Sequence, residues 1–327
     1  MSHTRHEPRT RRASRPRVGH ISFLNCLPLY WGLGRTGALT GLDLFRDTPD
    51  QLNAALLAGS LDISPISVAE YLRNADRLLL LPDLAIGSDG PVLSVNLVSR
   101  KPIDELDGAR IALGSTSRTG VLLAQLLLEK HYAVRADYFR CSPVLDVMLE
   151  KADAAVLTGD AALAVRGDAQ AGGLHVVDLA EVWREWTGLP MVFAVWAVRV
   201  DFADANPELV NRVHRCLLHA RSSASAELDE LAASAAYWEP FDASTLGEYF
   251  RALDFSLGER QLAGLREFAA RAAEFGAVPE LPTGGPSFVS SRAVRGGSGF
   301  RRWRDGGTPR LGLRRTEGGS RPWRIQT

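Results

Sequence analysis

The chain has 327 residues, is 46% hydrophobic and carries 38 basic against 38 acidic side chains; that is enough to bury a real core but too long for one compact unit, so two domains are expected. No apolar run approaches the roughly 20 residues of a membrane helix, and three widely spaced cysteines, Cys26, Cys141 and Cys216, without CxxC or CxxH pairing, exclude a disulfide framework and a structural zinc site. Charge is uneven: the stretches Met1–Arg17 and Thr283–Thr327 are rich in Arg, which leaves the part between them acidic and argues against a nucleic-acid surface.

Residues 1–17 hold Arg, Ser and His with no apolar h-region behind them, so a disordered basic arm and a cytoplasmic chain are expected rather than a secretory signal. From Val18 short apolar runs alternate with helical periodicity, the rhythm of a mostly parallel sheet covered by helices. Val18–Phe23 reads as the first strand. Gly32-Leu33-Gly34-Arg35-Thr36-Gly37 has GxGxxG spacing, but no strand immediately precedes it and no convincing helix opens there, so it reads as a chance match. Thr48-Pro49-Asp50-Gln51 is a capping box that opens a helix with Leu52, Ala55 and Leu56 inward, and Gly59 stops it. Leu61–Ile63 follows as a buried strand, Ser67-Val68-Ala69-Glu70 as a second capping box, and Leu78–Leu81 and Val92–Val98 as further strands.

A polar connector near Lys101-Pro102 marks the junction between lobes. Beyond it, strand Arg110–Leu113, helix Thr119–Lys130, strand Ala136–Arg140, helix Val144–Glu150 and strands Ala154–Leu157 and His175–Leu179 form a second sheet, and Met191–Val198 returns as a long apolar strand. The pattern then turns helical: Asn206-Pro207-Glu208 starts a helix with Val210, Val213, Leu217 and Ala220 as its stripe. Ser256-Leu257-Gly258-Glu259 caps a last one with Leu262, Leu265 and Phe268 inward. From Pro282 onward Gly, Arg and Ser dominate, and too little apolar surface remains to offset the entropy of ordering.

Three loops carry the candidate chemistry. Ser115-Thr116-Ser117-Arg118-Thr119-Gly120 sits where a strand ends and a helix begins, and unpaired N–H groups joined by hydroxyls and a guanidinium favour a carboxylate or phosphate. Ser22-Phe23-Leu24-Asn25 closes the first strand at the carboxyl edge of the sheet, where open α/β folds bind ligands, and Asn25 can both donate and accept. Asp89-Gly90-Pro91-Val92-Leu93-Ser94 pairs a turn with a serine entering the next strand. Each has a plain structural reading as a cap, a turn former or a small residue in a strand. His214 and His219 stand five apart on a helix and diverge, so they do not read as a shared metal face.

Taken together, Ile21–Tyr30, Leu52–Glu70 with its Gly59-Ser60-Leu61-Asp62-Ile63 core, Ser88–Ser94, Gly114–Gly120 and Trp186-Thr187-Gly188-Leu189-Pro190 resemble MqnA-type chorismate dehydratases of the futalosine menaquinone pathway, over about Val18–Glu280. The paralogous 1,4-dihydroxy-6-naphthoate synthases open with a motif unlike Ser22-Phe23-Leu24-Asn25. The resemblance implies an α/β, two-lobed fold of the type II periplasmic-binding-protein kind, with two crossing strands and a helix-rich C-terminal part. Carried onto this chain, residues 18–100 and 196–281 form the first lobe, 101–195 the second, and 282–327 a disordered tail.

It also implies loss of water from chorismate to give 3-[(1-carboxyvinyl)oxy]benzoate, an elimination driven by aromatisation that asks for orientation and hydrogen bonding and for no metal or redox cofactor. Asn25 and Ser94 are then the catalytic residues, with the substrate's own side-chain carboxylate as base. Ser94 polarises or positions groups near the leaving hydroxyl, Asn25 orients the enolpyruvyl carboxylate, and Ser115, Thr116, Ser22 and Asp160 contact substrate. The expected partner is chorismate, with no nucleic acid or membrane, and the chain a monomer or homodimer. The competing reading from another class is a non-catalytic receptor for a small carboxylate.

Overall fold

In a computed structural model that describes residues 15–115 and 117–290, ten strands form two five-stranded mixed sheets among the described residues. The first contains β1 (Arg17–Ile21), β2 (Asp43–Asp47), β3 (Ile63–Ser67), β4 (Leu78–Ser88) and β10 (Met191–Arg199), in the order β2-β1-β3-β10-β4. The second contains β5 (Val95–Ser99), β6 (Arg110–Gly114), β7 (Asp137–Cys141), β8 (Ala154–Thr158) and β9 (His175–Asp178), in the order β7-β6-β8-β5-β9. In each sheet the early strands pair in parallel, and one late or entering strand, β10 or β5, runs antiparallel to both its neighbours.

The helices among the described residues are α1 (Leu27–Arg35), α2 (Pro49–Leu57), α3 (Val68–Arg73), α4 (Arg118–Leu126), α5 (Leu145–Leu149), α6 (Asp160–Ala171), α7 (Leu179–Thr187), α8 (Val200–Ala205), α9 (Pro207–Ala226), α10 (Leu228–Ala235), α11 (Ala243–Ala252) and α12 (Glu259–Glu274). α4 runs on into a π turn over Leu127–His131. No helix among the described residues is long and apolar enough to cross a membrane.

Burial explains the strand order. β3 and β5 are buried at every position, as strands covered on both faces must be, whereas β2, with Asp43, Arg46 and Asp47, is mostly exposed and lies at an edge. The stripe Val210, Val213, Leu217 and Ala220 of α9 is buried as its periodicity predicts. α9 also approaches α1 so closely that a Cβ on Gly32 would lie 1.9 Å from the Ala220 carbonyl oxygen. The GxGxxG run therefore has a physical explanation: Gly32 admits a neighbouring helix, and Gly37 takes a left-handed turn at φ 68° after α1 ends. A helix does cover this run, against the sequence reading, because packing outweighs the low helical propensity of its glycines.

Three boundaries differ from expectation. The chain changes sheets over 89–94, so β5 belongs to the second sheet and the junction lies ahead of Lys101. An apolar run cannot reveal which sheet it joins. The return crossing is at 188–190, so all of β10 lies in the first sheet, not just its end after residue 195. At the two ends, Arg17 is part of the fold, with its backbone N–H and guanidinium bonded to the Asp62 carboxylate. Ser287 and Val289 hydrogen-bond to Leu80 in β4, so the ordered chain continues past Pro282. The rest of the basic arm, residues 1–14, and the tail from 291 onward lie outside the described residues.

Candidate active site

β1 ends at Ile21, and the chain turns through a 3-10 segment, Leu24–Cys26, into α1, with Pro28 in the first turn of that helix. Ser22 is half-buried and donates its N–H to the Asp47 carbonyl at 2.9 Å. The side-chain oxygen of Asn25 is buried and accepts no hydrogen bond from the described residues, a state that favours a donor arriving from elsewhere.

The crossing at 89–94 delivers Ser94, 3% exposed, to the same region. Its hydroxyl oxygen accepts from the Tyr249 hydroxyl of α11 at 3.0 Å, and its carbonyl accepts from Gly159 N–H at 2.7 Å. Gly159 is followed by Asp160, whose Oδ1 accepts from Leu24 N–H at 3.0 Å. Gly159 is needed here on two counts: its φ is 75°, and a Cβ would stand 3.0 Å from the Phe23 ring. An unbroken series of contacts thus runs from the Asn25 turn through Asp160 and Gly159 to Ser94 and Tyr249. It joins the first sheet, the second sheet and the C-terminal helices.

The electrostatics are those of a poorly solvated pocket. Burial is the main force that pushes the Asp160 carboxyl up to about 6; nearby Glu239 adds to it, while the Leu24 N–H and Arg46 oppose it. Burial also pushes the thiol of Cys26 and the phenol of Tyr249 well up, so both stay protonated. His20 stacks on Tyr30 at 3.5 Å between ring centroids, and burial, helped by Arg46, pulls it down to about 4, so its ring is neutral near pH 7. Arg46 is exposed, reaches the Ser22 carbonyl at 3.4 Å, and is the cation felt by both Asp160 and His20.

The start of α4 is built differently. Ser115 is exposed on the turn after β6, and Thr116 lies outside the described residues. Ser117 caps α4 by accepting from Gly120 N–H at 3.1 Å. Thr119, 1% exposed, accepts from Ala69 N–H of α3 at 3.0 Å. The Arg118 guanidinium donates to Asp50 at 2.8 Å and to Glu70 at 2.7 Å, and these two partners hold it up. Its charge is therefore engaged by the other sheet's helices, contrary to a role in holding a free anion. Ser22, Asn25, Ser94 and Asp160 are connected as described, and Ser115 makes no contact with them.

Tyr249 went unnoticed in the sequence because Leu246, Tyr249 and Phe250 read as an ordinary apolar helix face, and its partner Ser94 is 155 positions away.

The model of a family described as menaquinone biosynthesis matches residues 16–274. The chain belongs to that family. Among its relatives, a chorismate dehydratase of Thermus thermophilus is 32% identical over 265 residues, which is 77% of this chain and 93% of that one. A 1,4-dihydroxy-6-naphthoate synthase of the same organism is 26% identical over 203 residues, 62% of this chain and 72% of that one. A solved structure from Archaeoglobus fulgidus aligns with a TM-score of 0.64 at 20% identity, covering 80% of this chain and 98% of that one. An alkanesulfonate-binding protein of Xanthomonas axonopodis aligns at 0.61 and 15%, covering 81% and 94%. At such identities the structures establish the fold alone, that of periplasmic binding proteins.

Proposed function

We propose that the chain is a hydro-lyase that removes water from chorismate to give 3-[(1-carboxyvinyl)oxy]benzoate, a step of menaquinone biosynthesis by the futalosine route. The observation that carries this reading is the 32% identity extending over 93% of the Thermus chorismate dehydratase. The naphthoate synthase is matched over less of its length and at lower identity.

The chemistry suits a cleft with few charged groups. In chorismate the proton at C3 and the hydroxyl at C4 are adjacent, and the C3 proton is acidified through the conjugated ring carboxylate. Breaking C3–H sends its electron pair into the ring and its proton to the enolpyruvyl carboxylate. Breaking C4–O then releases the hydroxyl, which leaves as water once protonated. Aromatisation drives the sequence, so the protein has to orient the diene and bind developing charge.

In this reading Asn25 orients the enolpyruvyl carboxylate, using the side chain whose oxygen has no protein donor. Ser94, held by Tyr249, positions the leaving hydroxyl. Asp160 offers to the same hydroxyl the carboxyl oxygen that Leu24 leaves free. Ser22 and Arg46 meet a carboxylate at the rim, and Ser115 and Thr116 reach substrate from the α4 side. Three free cysteines suit a reducing cytoplasm.

Incubating purified protein with chorismate and following the mixture by mass and ultraviolet absorbance tests the reading. An aromatic product lighter by one water is expected. Chorismate bound but recovered intact would instead make the protein a receptor.

A further inference from the structure

We infer that Asp178 is a positioning residue of the cleft: one of its two carboxylate oxygens holds the crossing at Val92 and Leu93 in the turn that aims Ser94 at Tyr249. This rests on the reading of Ser94 as part of the reaction machinery. Asp178 ends β9, precedes α7 and is 5% exposed. Its Oδ1 accepts from Ala180 N–H at 3.0 Å and Glu181 N–H at 3.3 Å, the ordinary work of a helix N-cap. Its Oδ2 does something a cap does not require. It accepts from Val92 N–H at 3.0 Å and Leu93 N–H at 2.7 Å, 86 and 85 positions earlier in the chain.

The held residue is strained. Leu93 has φ 64°, one of three non-glycine residues with positive φ among the described residues. A γ-branched side chain occupies that region only when its surroundings impose it. Both sides of Leu93 are tied: its N–H by Asp178 and its carbonyl by the Asn96 amide at 2.9 Å. The next residue is Ser94, and the left-handed turn at Leu93 sets the direction in which the chain presents that hydroxyl. Without Oδ2, Leu93 relaxes toward the β region and Ser94 turns away from the Tyr249 hydroxyl.

Because the two oxygens have separate tasks, the inference can be tested without losing the helix cap. Asp178→Ser keeps one acceptor for α7 and removes the one that serves the crossing; Asp178→Asn is the conservative control. With chorismate as substrate, Asp178→Ser is expected to lower kcat about ten- to a hundredfold with KM changed less than about threefold, and Asp178→Asn to lose less. Adding Leu93→Gly, which adopts positive φ without strain, should return part of the lost kcat. A kcat unchanged in Asp178→Ser, or a loss that Leu93→Gly does not recover, would overturn the inference. A crystal structure of Asp178→Ser provides an arm that needs no turnover, so it still decides the matter if chorismate proves not to be the substrate. Leu93 outside the left-handed region and Ser94 beyond hydrogen-bond reach of Tyr249 supports the inference; an unmoved pair refutes it.

Discussion

Two helix starts face the region between the sheets, and they use the same backbone chemistry for different ends. At α4, Ser117, Arg118 and Thr119 all point their polar groups at protein: one caps the helix, one bridges to Asp50 and Glu70, and one accepts from Ala69. At α6, the sequence offers only Gly159-Asp160, yet this pair meets both the Asn25 turn and Ser94. Hydroxyls and a guanidinium at a helix tip mark a place that favours negative charge, and they do not say whether the anion will be a ligand or the protein's own carboxylates. Here two acidic side chains from the first lobe arrive there, so α4 fastens the lobes while α6 is free to serve the reaction.

The contrast can be broken or sharpened by substitution. The largest effect is expected at α6: Asp160→Ala should reduce kcat/KM about a hundredfold, roughly 3 kcal/mol of transition-state stabilisation. A change below threefold in steady-state assays would remove Asp160 from the site. At α4, Arg118→Ala leaves the nearly buried Glu70 without its closest cation. The expected cost is about 1–3 kcal/mol of stability, seen as a lower Tm, with kcat changed less than threefold. A large fall in kcat at unchanged Tm would mean that the guanidinium works on substrate after all.

A smaller, pH-dependent effect separates structure from chemistry at Asp160. Its carboxyl is raised from 3.8 to about 6, so between those values the folded protein binds the proton that the unfolded chain releases. Stability contributed by the neutral form is therefore present below pH 4 and lost as pH rises through 6. Asp160→Asn, which stays neutral and can still accept from Leu24, should raise stability by on the order of 2 kcal/mol at pH 8 relative to wild type. Near pH 4 the two should differ little. Thermal melts at both pH values decide this, and an equal gain at each would show that ionisation is not the cause. The smallest effect is expected for exposed Ser115: Ser115→Ala should raise KM less than threefold, and a tenfold rise would return a ligand to the α4 tip.

Much of this architecture was legible where burial sets the pattern. The β6 and β8 strands stand out as short apolar runs, and the α9 stripe repeats at helical spacing. Asn25 and Ser94 could be singled out because each follows a turn signal at a strand boundary. Capping boxes were less dependable: α2 and α3 begin where Thr48 and Ser67 indicate, yet neither side chain caps, and Ser67 instead receives the Asn53 amide. A local motif sets where a helix starts; which group its hydroxyl bonds depends on partners brought in by the fold. The same limit hid Tyr249 and Asp178, whose importance lies in partners 155 and 85 positions away.

The pairing of Ser287 and Val289 with Leu80 has a consequence for how the molecule behaves in company. β4 is the outermost strand of its sheet, and its apolar residues Leu78–Leu81 are all buried. The opposite border, β2, presents charge to solvent and discourages strand addition by itself; β4 has no such guard except this short stretch of backbone laid along it. Ending the chain at 281 would expose an inviting ribbon to neighbouring copies, so a shortened protein is expected to self-associate under conditions in which the longer one stays dispersed.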